Sequence, residues 1–368
     1  MKLAILGAGK VGTTIALMLK KSKFCSDLLI ADIEPRQELK KLAPIDVVKL
    51  DITDRSSLKK FIVGRDAIVS AAPFFLNQTI AEACAQTAVA YFDLTEDVET
   101  TLRIRSLAES TSVTFMPQCG LAPGAINIIG SSYARRFKTV RSLELRVGAL
   151  PLYASNSMKY YLSWNTAGLI NEYCQLAEAL HDGCRIKTLP LEGLERLTID
   201  GTEYEAFNTS GGVATMCETF EKRISDLNYK TIRYPGHRDL MRFLLQDLNL
   251  GQNRAVLTQI FDQEVPLTEQ DVVIIYVNVV GSDDGPVKQR NFVKKIYGQV
   301  IDGTAVSAIQ LSTAAGLVAV LEIFSRGKFA AGFVKQEDIP LDDFFATYWG
   351  HRVYDPACQD ATERPSGC

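Results

Sequence analysis

The chain has 368 residues, 47% of them hydrophobic and 23% charged, with a formal net charge of −3. That length suits about two domains, and the composition is that of a globular protein rather than a disordered or membrane one. The near-neutral balance leaves no basic footprint for nucleic acid. No run reaches the roughly 18 uninterrupted apolar residues of a spanning helix, and glycines interrupt any leader-like run at the start. The expectation is a cytoplasmic protein acting on a small molecule, with neither nucleic acid nor membrane as partner. The eight cysteines are scattered with no CxxC pair, which fits small buried hydrophobes in a reducing compartment. No His/Cys/Asp cluster has metal-ligand spacing, so no metal is expected.

In chain order, KLAIL is followed at once by GAGKVG and the helical text TTIALMLKK. Gly7, Gly9 and Gly12 fall where a dinucleotide fingerprint needs them: a tight turn, close approach of backbone to a pyrophosphate, and packing of helix on strand. Lys10, Val11 and Gly12 open a helix whose N-terminal amides would meet the phosphates. DLLIAD then ends on Asp32, about 20 residues after the last glycine, where a carboxylate binds the adenosine ribose and repels a 2′-phosphate. NAD is therefore favoured, with NADP possible because Arg36 stands close enough to serve a phosphate. Further strands are read in DVVKLD, DAIVSAA, VAYFDLT and SVTFMP, alternating with helices in RSSLKKFIV, QTIAEACAQT and TTLRIRSLAEST. This alternation is the pattern of a doubly wound, Rossmann-type parallel sheet in an α/β protein. Asp51 and Ile52 end the third strand, near where an adenine would lie; an Asp there is equally a helix cap. Ser70, Ala71 and Ala72 end the fourth beside the switch point where such sheets bind ligands, with Phe74 just beyond.

After Pro117 the texture changes. QCGLAPGAINIIGSSYARRF reads as a Gly/Pro loop feeding a helix. In SLELRVGAL, Leu143, Leu145, Val147 and Ala149 alternate with polar or small residues, the mark of a strand with one solvated face. DVVIIYVNVVGS and NFVKKIYGQV, joined by the turn text SDDGP, suggest an antiparallel pair. A long helix is read in SAIQLSTAAGLVAVLEIFSRG, with Ile309, Ala315, Val318 and Leu321 on its apolar face and Gly327 as its stop. The boundaries implied are 1–122 for a dinucleotide-binding domain, 123–305 for a second domain, 306–350 for a C-terminal helical segment and 351–368 for a frayed tail.

CGLAPG, Cys119 to Gly124, together with the glycine-loop start and YFDLTED, resembles the saccharopine dehydrogenase family, which includes saccharopine reductases and lysine 6-dehydrogenases. The resemblance continues through KYYLSWNTAGLINEY, EYEAFNTSGG, YKTIRYPGH and STAAGLVAVLEIF, nearly the whole chain. It implies an NAD(P)-dependent oxidoreductase acting on a C–N bond of an amino acid. It also implies a second α/β domain whose open mixed sheet serves substrate binding and homodimer contacts, and a last helix that returns to the first domain. The glutamate-forming saccharopine reductases carry an extra helical segment for which this chain is short, which moves weight toward the lysine 6-dehydrogenase-like members. The alternatives are a carboxynorspermidine dehydrogenase-like imine reductase and a catalytically silent NAD(P)-binding sensor.

Oxidising an amine carbon requires that carbon to give up hydride to the nicotinamide while its nitrogen is unprotonated, hence a base and a dry pocket. Asp93, ending the fifth strand, is the candidate contact for the substrate amine, or else a cap for the next helix; Thr95 shares its loop. Cys119, Gly120 and Leu121 would wall the nicotinamide and substrate, and no covalent intermediate requires Cys119 as nucleophile. In TIRYPGH, Arg233 suits a carboxylate through its bidentate fork, Tyr234 adjoins it, and His237 is a candidate base at neutral pH. Lys159 is an acid/base candidate if buried, with Tyr160 beside it. Asn208 and Thr209 begin a polar, glycine-rich loop fit to hydrogen-bond a zwitterion.

Overall fold

The computed structural model describes residues 1–35, 45–163 and 165–358, so Arg36 lies outside the described residues. Two compact units divide them. The first gathers Met1–Ala125, Val300–Val306 and Gln310–Cys358, and the second holds Ile126–Gln299 with Ser307–Ile309.

The apolar runs of the first unit form β1 (Lys2–Leu6), β2 (Asp27–Asp32), β3 (Asp46–Lys49), β4 (Ala67–Ser70), β5 (Ala90–Asp93) and β6 (Thr114–Met116). Between them run α1 (Lys10–Lys20), α2 (Arg55–Ile62), α3 (Asn77–Thr87) and α4 (Val98–Ala108). A short strand, Gly332–Phe333, joins the edge beside β6, and the order across the sheet is that strand, then β6, β5, β4, β1, β2, β3. Every pairing is parallel. Parallel strands covered on both faces read as unbroken apolar text, and Leu3 to Leu6 are accordingly all fully buried. The order reverses between β1 and β4, so Leu6 and Ser70 flank the crevice where open α/β sheets take ligands.

The helix Ala308–Ser325 belongs mostly to this unit. Its mean hydropathy of 1.6 over 18 residues would suit a membrane span, yet 72% of it is buried within the protein. Burial runs around the helix rather than along one face: the consecutive Leu317, Val318, Ala319 and Val320 are all enclosed. Gly316 lets it press on the CGLAPG segment, because a Cβ there would stand 2.5 Å from the Gly120 carbonyl oxygen. The expected tail from residue 351 is corrected. Tyr348–Tyr354 is helical, with Trp349, Val353 and Tyr354 buried, and the Tyr354 hydroxyl donates to the Ser312 carbonyl at 2.5 Å. The i,i+4 spacing of Trp349 and Val353 supplies the apolar stripe that holds it.

The second unit begins with α5 (Ala125–Ala134), which leads into β7 (Thr139–Pro151). Next come α6 (Thr166–Cys174), β8 (Ala177–His181), β9 (Cys184–Thr188), β10 (Glu195–Ile199), β11 (Thr202–Asn208) and α7 (Met216–Phe220). β12 (Ile224–Arg233), α8 (His237–Arg242), α9 (Arg254–Glu264), β13 (Asp271–Ser282) and β14 (Lys288–Tyr297) complete it. The sheet runs β10, β11, β12, β7, β13, β14, with β8 and β9 branching from β12. It is mixed, since β12 lies parallel to β7 while β13 pairs antiparallel with both β7 and β14. The solvated face expected for β7 is not found beyond Leu145: every residue from there to Pro151 is buried. The sheet curls until its edges meet, Lys295 of β14 pairing with Asp200 in the β10–β11 turn at 2.9 Å. Leu150, Ile232, Ile274 and Tyr204 fill the curl, and Arg146, 1% exposed, is paired there with Glu195.

Gly124 combines a φ of +134° with a would-be Cβ only 2.0 Å from the Gly120 carbonyl oxygen. Gly124→Ala should therefore cost about 2–4 kcal/mol in urea unfolding, through backbone strain plus a clash. Gly64, with a φ of +82° and nothing within 4 Å, isolates the backbone term: Gly64→Ala should cost only about 1–2 kcal/mol.

Candidate cofactor and substrate sites

β1 delivers the chain into Gly7, whose φ of +104° L residues rarely adopt and whose Cβ would stand 2.5 Å from the Ala71 carbonyl oxygen. Gly12 is as constrained, a Cβ there falling 2.0 Å from the Gly7 carbonyl oxygen. Gly9 is different: a Cβ would meet nothing within 4 Å. Two glycines thus close the turn, and the third faces open space at the start of α1. Gly9 is also the N-cap of α1, and among the described residues no side chain caps that first turn. An uncapped helix N-terminus beside an open glycine is the arrangement that receives a pyrophosphate. Lys10 is exposed and Val11 half-buried on the first turn.

Asp32 is held beside this loop. Its Oδ2 accepts from the Ala8 amide at 2.6 Å and its Oδ1 from the Glu34 amide at 3.1 Å. The half-buried carboxylate therefore locks the end of β2 to the cradle. Ala71 and Ala72, half-buried, back the turn, the Ala71 amide donating to the Leu6 carbonyl at 2.8 Å. Asp51 is exposed and turned onto Thr53, accepting from its amide at 2.8 Å and its hydroxyl at 2.7 Å. The cap of α2 is Asp54 rather than Asp51, and Ile52 belongs to the apolar core of the first unit. Phe74 is half-buried and meets the exposed Phe75 edge-on.

At the carboxyl ends of β4 and β5 lies a buried polar chain. The Ser70 hydroxyl donates to Asn77 Oδ1 at 2.6 Å, and Asn77 Nδ2 donates to Asp93 Oδ2 at 3.3 Å. Tyr91 also donates to that oxygen, at 2.8 Å, while Asp93 Oδ1 accepts from the amides of Thr95 and Gln118 at 3.0 and 2.9 Å. Four donors enclose a carboxylate that is 0% exposed. Burial still pushes Asp93 up to about 6, against the pull of those donors. Its bonds tie β4, α3, β5 and the segment after β6 together, and the cap of α4 is Asp97, accepting from Thr100 at 2.7 Å. Thr95, 3% exposed, accepts from the Asp97 amide at 3.2 Å.

Glu96, which the sequence reading passed over, is half-buried in the same loop. Burial, with Asp97 and Asp93 adding, raises its carboxyl to about 7. Cys119 is 1% exposed, its thiol donating to the Met116 carbonyl at 3.0 Å and lying 3.3 Å from Gln336 Nε2. Burial pushes that thiol well up, so no thiolate is available. Gly120 and Leu121 are likewise buried.

In the second unit the residues named from the sequence separate into two sets. Arg233, Tyr160 and His237 come together and recruit Tyr173, which the sequence reading did not single out. Arg233 Nε donates to the Tyr173 hydroxyl at 2.9 Å, and its Nη1 donates to the Ile232 carbonyl at 2.9 Å. The guanidinium stands over the rings of Tyr160 at 5.2 Å and Tyr173 at 5.9 Å. Tyr173 lies 3.1 Å from His237 Nε2, and His237 Nδ1 lies 2.9 Å from the Met158 carbonyl oxygen. Lys159, Asn208 and Tyr234 lie apart from this cluster. Lys159 is exposed, its ammonium donating to the Pro235 carbonyl at 3.2 Å, so the buried setting an acid/base lysine needs is absent. Asn208 donates weakly to the Leu189 carbonyl at 3.4 Å. Tyr234 stacks on Tyr204 and donates to the Pro151 carbonyl at 2.9 Å. Thr209 is 1% exposed, and its hydroxyl has no hydrogen-bond partner among the described residues.

The expectation of His237 as base is corrected. It is 1% exposed, and burial first, then the Arg233 charge, drives it down to about 3. Both ring nitrogens are also engaged. Tyr173 escaped the sequence reading because its spacing from Leu169 and Ile170 marks only an apolar helix face; its hydroxyl meets partners about 60 residues away, which no local pattern records.

A parallel sheet with a glycine cradle at its switch point defines the first unit as a dinucleotide-binding domain. Residues 3–116 match the saccharopine dehydrogenase NADP binding domain, and residues 120–351 match the saccharopine dehydrogenase C-terminal domain. The chain belongs to the saccharopine dehydrogenase family of NAD(P)-dependent oxidoreductases. The alpha-aminoadipic semialdehyde synthase of Arabidopsis thaliana is 26% identical over 144 residues, 37% of this chain and 13% of that protein. The mitochondrial synthase of Mus musculus is 23% identical over 190 residues, 50% of this chain and 20% of that protein. The chain thus matches only a fraction of the length of these curated relatives. The fold is shared with apo saccharopine dehydrogenase (L-Glu forming) from Saccharomyces cerevisiae, at a TM-score of 0.73 and 14% identity over 94% of this chain and 97% of that one.

A histidine whose folded pKa lies below the unfolded value contributes stability in full above about pH 6.5 and loses it as the pH falls toward the folded value. The protein should therefore lose about 2 kcal/mol through His237 by about pH 5, since each pH unit below the unfolded pKa is worth about 1.4 kcal/mol. Urea midpoints from about pH 7 to 5 check this, with His237→Gln showing a correspondingly flatter profile.

Proposed function

We propose that this chain catalyses NAD(P)-dependent hydride transfer at the C–N bond of an amino acid of the saccharopine or lysine type. One observation carries the substrate class. Arg233 is 2% exposed; no ion pair to it is found among the described residues, and the buried Glu172 carboxylate acts on its charge only through space. Its hydrogen bonds to described residues run from Nε to the Tyr173 hydroxyl and from Nη1 to the Ile232 carbonyl. Burying a guanidinium with no carboxylate in direct contact is costly, and a substrate α-carboxylate would supply that contact.

The nicotinamide, when bound, supplies the hydride chemistry. The glycine turn and the first turn of α1 would hold its pyrophosphate, and Asp32 would orient the ribose and disfavour a 2′-phosphate, which supports NAD over NADP. Removing a proton from the amine needs a group that titrates near neutral pH. His237 does not meet that need, whereas Glu96, at about 7 in the loop after β5, does. A carboxylate-bearing substrate also fits the second unit better than a polyamine, because the charged group hydrogen-bonded within the Tyr173–His237 cluster is the Arg233 guanidinium.

The test is to follow nicotinamide absorbance with L-lysine, L-saccharopine, and paired aldehydes and amines, using NAD and NADP in turn. Turnover of an amino acid, lost by about a hundredfold or more in Arg233→Met, is the expected result, since a charged anchor contributes about 3 kcal/mol. Tight cofactor binding without turnover across the panel would instead favour the sensor reading. Asp32→Ala should weaken NAD and spare NADP, and Glu96→Gln should lower kcat and remove a limb of its pH profile near about pH 7.

A further inference from the structure

We propose that Tyr173 and His237 are positioning residues that fix the plane of the Arg233 guanidinium for a substrate carboxylate. This rests on the reading of Arg233 as the carboxylate anchor and adds the means by which its geometry is set.

The direction of every bond in the chain follows from its two ends. A guanidinium nitrogen can only donate, so the Tyr173 oxygen accepts from Arg233 Nε at 2.9 Å. A carbonyl oxygen can only accept, so His237 carries its proton on Nδ1, facing Met158 at 2.9 Å. Nε2 is then left with a lone pair, and the Tyr173 proton has one place to point, along the 3.1 Å contact to His237. The result is a one-way chain from Arg233 through Tyr173 and His237 to Met158, in which each group uses the role its neighbour requires.

The rings keep it rigid. His237 lies 5.1 Å from the Tyr160 ring centroid and stacks on Phe207 at 6.4 Å with an interplanar angle of 12°. Tyr160 also lies under the guanidinium at 5.2 Å, so one aromatic ring fixes both ends. An apolar trio could fill this volume without burying a cation. What the polar chain adds is a single allowed orientation of Arg233, and bidentate recognition depends on that orientation.

The experiment compares Tyr173→Phe, His237→Leu, His237→Gln and Arg233→Lys in the intact protein, using the amino acid that turns over and an amine of equal length lacking the α-carboxylate. Tyr173→Phe and His237→Leu should raise KM for the amino acid about tenfold, the loss of one charge-assisted hydrogen bond. They should leave kcat within about twofold, and KM for the amine and the cofactor unchanged. His237→Gln, whose amide oxygen can still accept from Tyr173, should recover most of the loss. If Arg233→Lys raises the amino-acid KM while Tyr173→Phe does not, the positioning role is overturned and the anchor stands; if neither does, the anchor itself fails. Nitrogen-15 NMR of the wild-type protein decides the matter independently of folding or turnover. At about pH 5, where exposed histidines are protonated, His237 should show a protonated Nδ1 and a bare Nε2. An imidazolium or the opposite tautomer would overturn the chain.

Discussion

A cation enclosed in the second unit, with no carboxylate hydrogen-bonded to it among the described residues, governs how its surroundings are built. Arg233 ends β12 at 2% exposure, and its neighbours answer the cost with softer partners: a tyrosine oxygen, its own strand's carbonyl and two ring faces. Each partner stabilises the charge less than a carboxylate would. The guanidinium is therefore held by neutral groups in direct contact, which is the arrangement on which the proposed carboxylate site rests.

The first unit solves a complementary problem with backbone. Its ligand would carry the negative charge, and the fold meets it with an uncapped helix N-terminus and a turn from which side chains are excluded by contact at Gly7 and Gly12 and left out at Gly9. Asp32 and Asp93 then hold the edges of the crevice by accepting from main-chain amides. Carboxylates used in this way act as stays between strands, and Asp93 has no acceptor position left over once four donors are counted.

What was legible from sequence follows from how local each constraint is. The cradle could be read because three glycines in six residues, a strand before and a helix after are all neighbours in sequence. The parallel sheet could be read because strands buried on both faces are continuous apolar text. β7 misled because alternation of Leu143, Leu145 and Val147 with polar residues looks the same whether the second face meets water or, as here, the inside of a curled sheet closed by Lys295 and Asp200. His237 misled for a related reason: the sequence shows that a histidine is present, while its tautomer and its loss of basicity come from Tyr173, Met158 and Arg233, brought together from three separate elements. Residues 351–354 were read as tail because only contact with Ser312 shows what the apolar stripe of Tyr348–Tyr354 packs against.

Gly316 against Gly120, and Tyr354 against Ser312, place part of the first unit's interior near the end of the chain. In sequence the second unit is an insertion within the first, since Ile126–Gln299 interrupts segments that share one core. Synthesis from the ribosome is vectorial, and domains complete themselves as their residues emerge. The inserted unit therefore has its sheet strands in hand while the dinucleotide-binding unit, begun first, still lacks the helix that closes over CGLAPG. Of the two units, the one begun earlier is the one closed later.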